Sequence, residues 1–454
     1  MENKDQSIRY RMFISVFLAS SMMILNGLNM VWTSPFVKKL KSKEDTPLIT
    51  PISEDESNWL VSISIIGGMV GCFLFGTLSQ KFSRKFLLVL VNLPFIIFYI
   101  IMAFTRVLWL YFLGRFLGGV AVGGVLTLLP AYIAEISDPK IRGKLSVTIG
   151  VCRNIGILIT YCTGPFMSFH SYHLCFLSLP IVLSILIFLF AMESPYYIFR
   201  SDPVQAEKLI RNIKGKHDVS EELKEIEISM NKHPKGNFMN ALKSKSSKRS
   251  LMIGVGVTFF TQFSGFMIFI SYAVFIFEAA GGSWTGETDT IIIGVIEVIS
   301  AFFATTVTDF FQRRTQFMLS YVFAGLCHFT LGGYFVLQDR GVDLSAFGWV
   351  PLVSMAGYFM MYDLGMGILT QTVMGELFSP TIKGAAIAIC QIVGTSVGFI
   401  ITFTFKYMKE AIGNGESFWI FAGFCFAGAV FVYFFLVETK GRTLEEVQDE
   451  IDRS

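Results

Sequence analysis

Two stretches of this sequence place an acid, a proline, a cation and a glycine at the same spacing. The first runs Glu135-Ile-Ser-Asp-Pro139-Lys-Ile-Arg142-Gly143, and the second runs Glu376-Leu-Phe-Ser-Pro380-Thr-Ile-Lys383-Gly384. Residues of these types can form ion pairs that break and re-form. Each copy follows a long apolar segment, so the pattern indicates an internal duplication, with a binding site where the two halves meet.

Two further apolar segments also end in an acid, at Glu193 and Glu438. All four acids lie near cations in neighbouring short loops, so we expect ion pairs between the halves when the cytoplasmic side is closed. Such pairs are individually weak, and breaking them costs little net free energy once both partners are hydrated. The pattern predicts a cytoplasmic gate; the alternative is that these residues only cap helices and orient the chain in the membrane.

The elements that position these residues are predicted to be membrane-spanning helices. Of the 454 residues, 53% are hydrophobic and only 16% are charged, which excludes an ordinary soluble domain. The apolar residues come in runs of roughly twenty, the length that crosses a bilayer core. The predicted fold class is therefore an all-α membrane protein with twelve transmembrane helices. Its spans are 12–33, 58–80, 85–105, 108–134, 145–167, 172–192, 251–279, 289–310, 315–337, 346–376, 383–407 and 417–437.

A polar, Lys-rich linker at 193–250 separates two predicted six-helix bundles, and a cytoplasmic tail follows them. Within the linker, 206–210 and 221–226 have the pattern of short amphipathic surface helices. Cations are concentrated in the loops of one side, which predicts that both termini and the linker are cytoplasmic. The lysines at 38–43, in the first predicted outer loop, conflict with this orientation. The predicted domains are the bundles 1–192 and 251–437, the linker 193–250 and the tail 438–454.

Other chemistries find no support in the sequence. No Gly-x4-Gly-Lys-Ser/Thr motif occurs, so we do not expect an ATP-driven pump. The five His residues are scattered without metal-ligand spacing, and the seven Cys residues lie singly. We therefore expect no enzymatic activity, no cofactor and no metal site.

The ordered motifs resemble those of the sugar porters of the major facilitator superfamily, and most closely its insect trehalose-transporter-like branch. The resemblance covers nearly the whole length, and the motifs are specific because all of them occur in order. They are Gly76-x6-Ser83-Arg84-Lys85, Gly114-Arg115-x-x-Gly118, Pro130-x-Tyr132-x-x-Glu135-x3-Pro139-x-x-Arg142-Gly143, Glu193-Ser-Pro-Tyr-Tyr, Gln262-Phe-Ser-Gly265, Asp309-x3-Arg313-Arg314, Gly375-Glu-Leu-Phe-x-Pro380-x-x-Lys383-Gly384 and Glu438-Thr-Lys-Gly-Arg442.

The resemblance implies the major facilitator fold, in which two pseudo-symmetric six-helix bundles expose a central site to each side of the membrane in turn. It implies a multi-pass plasma-membrane carrier that works as a monomer. The expected partners are a small-molecule solute, namely a sugar, and the lipid bilayer, with no nucleic acid. The resemblance assigns these residues to the cytoplasmic gate: Arg84, Arg115, Glu135, Arg142, Glu193, Asp309, Arg313, Arg314, Glu376, Lys383, Glu438 and Arg442.

Arg115 differs from the other gate residues because it falls within an apolar span. A cation near the middle of the membrane is costly and usually functional. In proton-coupled sugar porters a carboxylate on span 1 partners the matching Arg, whereas the equivalent residue here is Asn29. An amide takes up no proton at any useful pH, so we expect facilitated diffusion without proton coupling through this pair.

The sequence departs from the family at the substrate pocket. Solutes rich in hydroxyl groups need amide side chains as paired donors and acceptors. Positions that hold amides or Trp in the family are Gly150, Met267, Gly394 and Thr395 here, and both prolines of span 10 are lost. The predicted substrate-binding residues are Arg153, Ile157, Thr261, Gln262, Met267, Ser271, Tyr272, Glu297, Gly367, Gln371 and Thr395.

Two of these residues, Arg153 and Glu297, are ionisable and lie in opposite halves. Charged groups on a cavity wall are costly unless they pair with each other or with a ligand. We hypothesise that they pair across the central cavity, and that substrate binding breaks or shares the pair. The alternative is that one of them faces an aqueous vestibule.

The sequence thus predicts facilitative passage of a sugar, such as glucose or trehalose, across the plasma membrane. Two alternatives stay open. The first keeps the fold but carries another small polar or charged solute in a diverged pocket. The second is a non-transporting nutrient receptor, against which the short tail of about 17 residues counts.

Overall fold

The computed structural model describes residues 2–79, 81–137, 139–214, 245–282, 284–307, 310–378, 383–440, 442, 446–447 and 450–451. These residues are almost entirely helical, and no strand occurs among them. The first half contains α1 Glu2–Met30, α2 Thr33–Lys41, α3 Glu54–Leu78, α4 Arg84–Leu90, α5 Asn92–Phe104, α6 Leu108–Ile136, α7 Pro139–Thr163, α8 Phe169–Phe190, α9 Pro195–Ser201 and α10 Pro203–Lys214. The second half contains α11 Lys245–Phe263, α12 Phe266–Ala280, α13 Gly286–Val307, α14 Arg313–Asp339, α15 Val350–Met361, α16 Gly367–Leu377, α17 Lys383–Ile412 and α18 Asn414–Phe435.

Ten segments of the described chain are long and apolar enough to cross a membrane. They are Tyr10–Lys41, Glu54–Leu78, Arg84–Phe104, Leu108–Ile136, Phe169–Phe190, Ser246–Ala280, Arg313–Asp339, Ser345–Leu377, Ala386–Ile412 and Asn414–Phe435. Helices α7 and α13 occupy the places of the fifth and eighth predicted spans. The prediction of an all-α membrane protein is confirmed.

The chain divides into two compact units. The first comprises Met1–Trp32, Phe36–Glu56 and Ile63–Pro234, and the second comprises Thr33–Pro35, Ser57–Ser62 and Lys235–Ser454. In the first unit, α1 packs on α6, α7 and α8, and α5 contacts both α6 and α8. In the second unit, α14 packs along α15 and α18, and α11 packs on α17 and α18. The predicted linker helix at 221–226 lies outside the described residues.

The glycines of span 4 let the helices of the first unit approach closely. A Cβ at Gly119 of α6 would overlap the carbonyl oxygen of Ser64 in α3, and a Cβ at Gly123 would overlap that of Gly68. Helices in lipid gain little from hydrophobic burial against each other, so such close backbone packing contributes much of their association. These glycines are packing residues, as their spacing indicates.

Three spans are interrupted where the sequence predicts continuous helices. The first span breaks at 31–32, between α1 and α2, and the seventh breaks at Gly265, whose φ of 87° is left-handed. In the tenth span a π-helical turn, Tyr362–Met366, joins α15 to α16. Such breaks free backbone groups at membrane depth, where they are tolerated only if protein or a water-lined cavity satisfies them.

The lysines at 38–43 do not all lie in a loop, which corrects the predicted end of the first span at residue 33. Helix α2 continues to Lys41, because Phe36, Val37 and Leu40 bury one of its faces. On this helix Lys39 donates to the carbonyl oxygen of Met167. The cations at this helix end are therefore held by local acceptors.

Candidate solute site and charged clusters

In the first unit, the buried Arg115 bonds to Asn29 and lies against Trp32. Its Nη1 donates to both the backbone oxygen and Oδ1 of Asn29, each at 3.1 Å. The guanidinium carbon also lies 4.9 Å from the centre of the Trp32 ring, a cation–π distance. Twenty residues of α6, about 30 Å of helix, separate Arg115 from Glu135. Arg115 therefore lies apart from the charged cluster at the far end of α6.

The Arg115 site is positioned by the break in the first span. Asn29 is in the last turn of α1, where backbone carbonyls lose their partners within the helix. Arg115 supplies a donor to one of these carbonyls and meets the negative end of the helix dipole there. Sequence reasoning singled out Arg115 and Asn29, but it missed Trp32 because the break itself carries no strong sequence signal.

In the second unit, Gln262 lies directly before the break in the seventh span. Its half-buried side chain faces two glycines of α17, since a Cβ at Gly394 or Gly398 would lie about 3.5 Å from the Gln262 amide group. Met267 follows the break and faces Gly398 as well, at 4.0 Å from such a Cβ. The structure thus brings together the predicted residues Gln262 and Met267, with space that glycines leave beside them.

Thr261, the neighbour of Gln262, is a core residue of the second unit. Its hydroxyl shares hydrogen bonds with the hydroxyls of Tyr321, at 2.9 Å, and Thr370, at 3.2 Å. The nearby Ser264 hydroxyl bonds with the Tyr358 hydroxyl at 2.8 Å. These bonds satisfy polar groups that would be costly in lipid. Thr261 therefore supports the break in the seventh span.

The π-helical turn directly precedes the segment from Gly367 to Gln371, where the sequence lacks the two prolines expected in span 10. Ser320 of α14 donates to the carbonyl oxygen of Met361 at 2.6 Å and accepts from the amide of Met366 at 3.2 Å. Gln316, one turn away, donates to the carbonyl oxygen of Leu364. Side chains of α14 thus satisfy backbone groups that the π turn frees, and an irregular segment persists without proline.

Two carboxylates are buried beside this turn. Glu297 of α13 is 2% exposed, and Asp363 of the π turn is 4% exposed. The Ser300 hydroxyl donates to Asp363 Oδ2 at 2.8 Å and lies 3.0 Å from the backbone oxygen of Glu297. Asp363 was missed by sequence reasoning, although an acid within an apolar span is a usable signal.

The remaining predicted residues of the second unit are spread over several helices. Ser271 is buried in α12, and the ring of Tyr272 lies 5.4 Å from that of Phe405. In α16 Gly367 lies against the Tyr362 ring, whereas Gln371 is exposed. Thr395 of α17 is half-buried and donates to the carbonyl oxygen of Gln391 at 2.7 Å.

In the first unit, Arg153 and Ile157 lie one turn apart on α7. Ile157 is fully buried. Arg153 is half-buried, and its Nε donates to Oδ1 of the buried Asn154 at 3.2 Å. Gly150, one turn before Arg153, borders open space, since a Cβ there would have no neighbour within 4 Å. The position that holds Gln in the family is therefore an open position here.

A charged cluster joins α4, α6 and the segment after α8 in the first unit. Arg84 forms a fork to Glu135, with Nη2 at 2.8 Å and Nε at 3.1 Å from carboxylate oxygens. Glu193 accepts from the amide of Lys85 at 3.3 Å. An acid at a helix start satisfies free amides and complements the dipole.

The second unit repeats this cluster with equivalent residues. Arg313 lies 3.9 Å from Glu376, and Glu438 accepts from the amides of Arg313, at 3.0 Å, and Arg314, at 3.1 Å. The Thr439 hydroxyl donates to Glu376 at 2.6 Å. The ion pairs that the described residues show thus lie within each unit.

Five predicted gate residues stand outside these two clusters. Arg442 pairs with Glu450. Arg142 and Lys383 lie in α7 and α17, but their side chains fall outside the described part of the structure, as does Asp309 entirely. Arg115, already described, is held by Asn29.

A family model described as "Sugar (and other) transporter" matches residues 15–451. The "Facilitated trehalose transporter Tret1" of Aedes aegypti is 32% identical over 439 residues, which are 96% of this chain and 54% of that protein. Its counterpart from Culex quinquefasciatus is 31% identical over 96% of this chain and 84% of its own length. The chain thus spans only about half the length of the Aedes relative.

Two solved structures of a xylose transporter have the same fold. The inward-open conformation of the xylose transporter XylE from E. coli superposes with a TM-score of 0.79 at 26% identity, covering 97% of this chain and 99% of that one. The proton:xylose symporter XylE bound to 6-bromo-6-deoxy-D-glucose gives 0.78 at 25% identity, with the same coverage. The chain therefore has the major facilitator fold and belongs to the sugar (and other) transporter family.

Proposed function

We propose that this chain is a facilitative carrier, a uniporter, for a sugar such as glucose or trehalose. Family membership and the known cargo in the names of its relatives support a sugar as the transported solute. The observation that carries the mechanism is the Arg115 site, where Asn29 supplies amide and carbonyl oxygens in place of a carboxylate. Unlike a carboxylate, the amide of Asn29 takes up no proton, so we expect no proton coupling through this pair.

Transport proceeds by alternating access of two six-helix bundles in this proposal, with domains at 1–192 and 251–437. The clusters around Arg84 and Arg313 hold the cytoplasmic ends of the helices within each bundle and form the inner gate. Both termini are cytoplasmic, and the carrier works as a monomer in the plasma membrane.

The proposed solute site uses Gln262, whose amide supplies both a donor and an acceptor for sugar hydroxyls. Arg153 and Glu297 contribute a charged pair that substrate binding breaks or shares. Exchanging the two charges, with Arg153→Glu and Glu297→Arg, tests this pair. If the double exchange restores uptake above either single change, the residues are coupled, whereas equal or additive losses contradict the pair.

A second candidate cargo is a charged or zwitterionic solute. The buried carboxylates Glu297 and Asp363 favour it, because buried acids are retained where a partner or ligand compensates them. The alternatives are separated by uptake of labelled glucose, trehalose, fructose, amino acids and organic anions into vesicles that contain the purified protein. Saturable uptake of a sugar supports the first proposal, and uptake of a charged solute alone supports the second.

A further inference from the structure

His173 is a buried histidine whose two ring nitrogens are both hydrogen-bonded. Trp32 Nε1 donates to its Nε2 at 2.7 Å, and its Nδ1 lies 2.6 Å from the carbonyl oxygen of Phe169. An indole nitrogen only donates and a carbonyl oxygen only accepts, so the partners fix one neutral tautomer with the proton on Nδ1. His173 therefore orients the indole ring of Trp32.

The same indole ring meets Arg115. Trp32 lies at the break between α1 and α2, it is 1% exposed, and its ring centre is 4.9 Å from the guanidinium carbon. That guanidinium also bonds to Asn29 at the end of α1. A continuous chain of contacts thus runs from His173 through Trp32 to Arg115, within one unit of the protein.

We infer that His173 is a positioning residue for transport, because it holds Trp32 over Arg115 and so fixes the break in the first span. The inference rests on the proposed carrier function. The ring face of Trp32 and the terminal carbonyl of α1 both stabilise the Arg115 guanidinium, and each contact depends on the geometry of this break. Without the bond from Trp32 to His173, the ring loses its anchor and a buried N–H loses its acceptor.

The competing explanation is that His173 only fills space, since it sits among the rings of Phe36, Phe98, Phe169 and Tyr172. His328 in the second unit shows what such a filling residue looks like. It is enclosed by aromatic rings, its Nε2 bonds to the Ser264 carbonyl oxygen, and its Nδ1 has no partner within the described chain. No tryptophan is bonded to it among the described residues.

Two substitutions at His173 separate the explanations. The two explanations predict opposite orders of activity for these variants. His173→Phe keeps an aromatic ring but removes the acceptor, so maximal sugar uptake should fall roughly tenfold, as expected for an unsatisfied buried donor. His173→Gln keeps an acceptor for Trp32 Nε1 but removes the ring, and uptake should stay within about threefold of the parent. The side chains of His173, Trp32 and Arg115 are all buried, so the maximal rate of uptake should change and the KM for sugar should not.

Trp32→Phe provides a second, independent arm. It retains an aromatic face for Arg115 but removes the N–H donor, so it should reproduce the loss seen for His173→Phe. The double variant should be no worse than either single variant, because both remove the same bond. His170→Phe is the matched control: His170 bonds the carbonyl oxygen of Ala103 and neither Trp32 nor Arg115, and uptake should stay near the parent value.

Hydrogen exchange of the backbone amides of residues 31–34 and 36 gives a readout that needs no substrate. His173→Phe should speed exchange there about tenfold and His173→Gln should not. Equal activity of the two His173 variants, the reverse order, additive losses in the double variant or unchanged exchange would each overturn the inference. A parent protein that carries no sugar, together with the predicted exchange pattern, would instead contradict the proposed function and leave the positioning role supported.

Discussion

At the scale of single residues, the central feature is a buried cation that is satisfied by dipoles. Arg115 contacts a helix-end carbonyl, an amide oxygen and an aromatic face, all within one unit. Each contact stabilises the guanidinium less than an ion pair with a buried carboxylate would. None of them, however, requires a second charge to be desolvated.

Asn29→Asp tests whether the missing carboxylate accounts for the absence of proton coupling. The new carboxylate would lie within reach of Arg115, and it titrates where the amide does not. A gradient of one pH unit supplies about 1.4 kcal/mol per proton, so the variant should accumulate sugar up to about tenfold, whereas the parent should only equilibrate it. Steady-state accumulation in vesicles measures this, and Asn29→Ala controls for loss of the amide. Accumulation by the parent itself would refute the argument.

The forked pair between Arg84 and Glu135 should contribute more to stability than an exposed pair. Its side chains are 20% and 14% exposed, whereas Glu54 in the pair with Lys41 is 66% exposed. We expect a double-mutant cycle on Arg84→Ala and Glu135→Ala to give a coupling of about 1–2 kcal/mol, and the same cycle on Lys41 and Glu54 to give about 0.5 kcal/mol or less. Unfolding in detergent at low and high salt measures both. Equal coupling energies for the two pairs would show that the difference in burial does not determine how much each pair stabilises the protein.

At the scale of elements, hydropathy and charge patterns predict where spans lie but not where they break. The all-α membrane fold follows from apolar runs of bilayer length, which every span must have. The breaks at Trp32 and Gly265 and the π turn at 362–366 are set by tertiary contacts such as Ser320 to Met361, which leave no periodic trace in the sequence. Trp32 was missed for this reason, whereas Gln262 was identified from its motif.

Close packing of α3 on α6 predicts a sharp sensitivity at Gly119. Gly119→Ala should lower the unfolding temperature by several degrees, because its Cβ would overlap the backbone of Ser64. Gly333→Ala in α14 is the matched control, since no atom lies within 4 Å of its Cβ and alanine favours helix. Thermal unfolding in detergent compares the two variants. Equal shifts in their unfolding temperatures would show that the close approach of α3 and α6 is not the cause of the destabilisation.

The π turn should depend on the side chain that satisfies it. Ser320→Ala removes bonds to Met361 and Met366, so the turn loses its partners and maximal uptake should fall about fivefold. Thr330→Ala, on the same helix, removes only a bond within α14 from an exposed position and should leave uptake unchanged. Initial rates in vesicles measure both variants. Full activity of Ser320→Ala would show that the turn needs no support from α14.

At the scale of the whole molecule, the two halves repeat the same electrostatic design. Arg84 with Glu135 and Arg313 with Glu376 pair a helix start with a helix end, while Glu193 and Glu438 accept backbone amides at the starts of α4 and α14. The duplicated sequence predicts this repetition, because equivalent residues meet equivalent neighbours. We expect such bundles to move as rigid bodies during transport.

The most direct test of the account is sugar counterflow in vesicles that contain the purified parent protein. Vesicles preloaded with unlabelled trehalose or glucose should take up the labelled sugar transiently above its outside concentration, at the same rate with and without a pH gradient. Counterflow that requires the gradient, or sugar-driven alkalinisation of the medium, would contradict uniport through the Arg115 site. No counterflow with any sugar would contradict the proposed carrier.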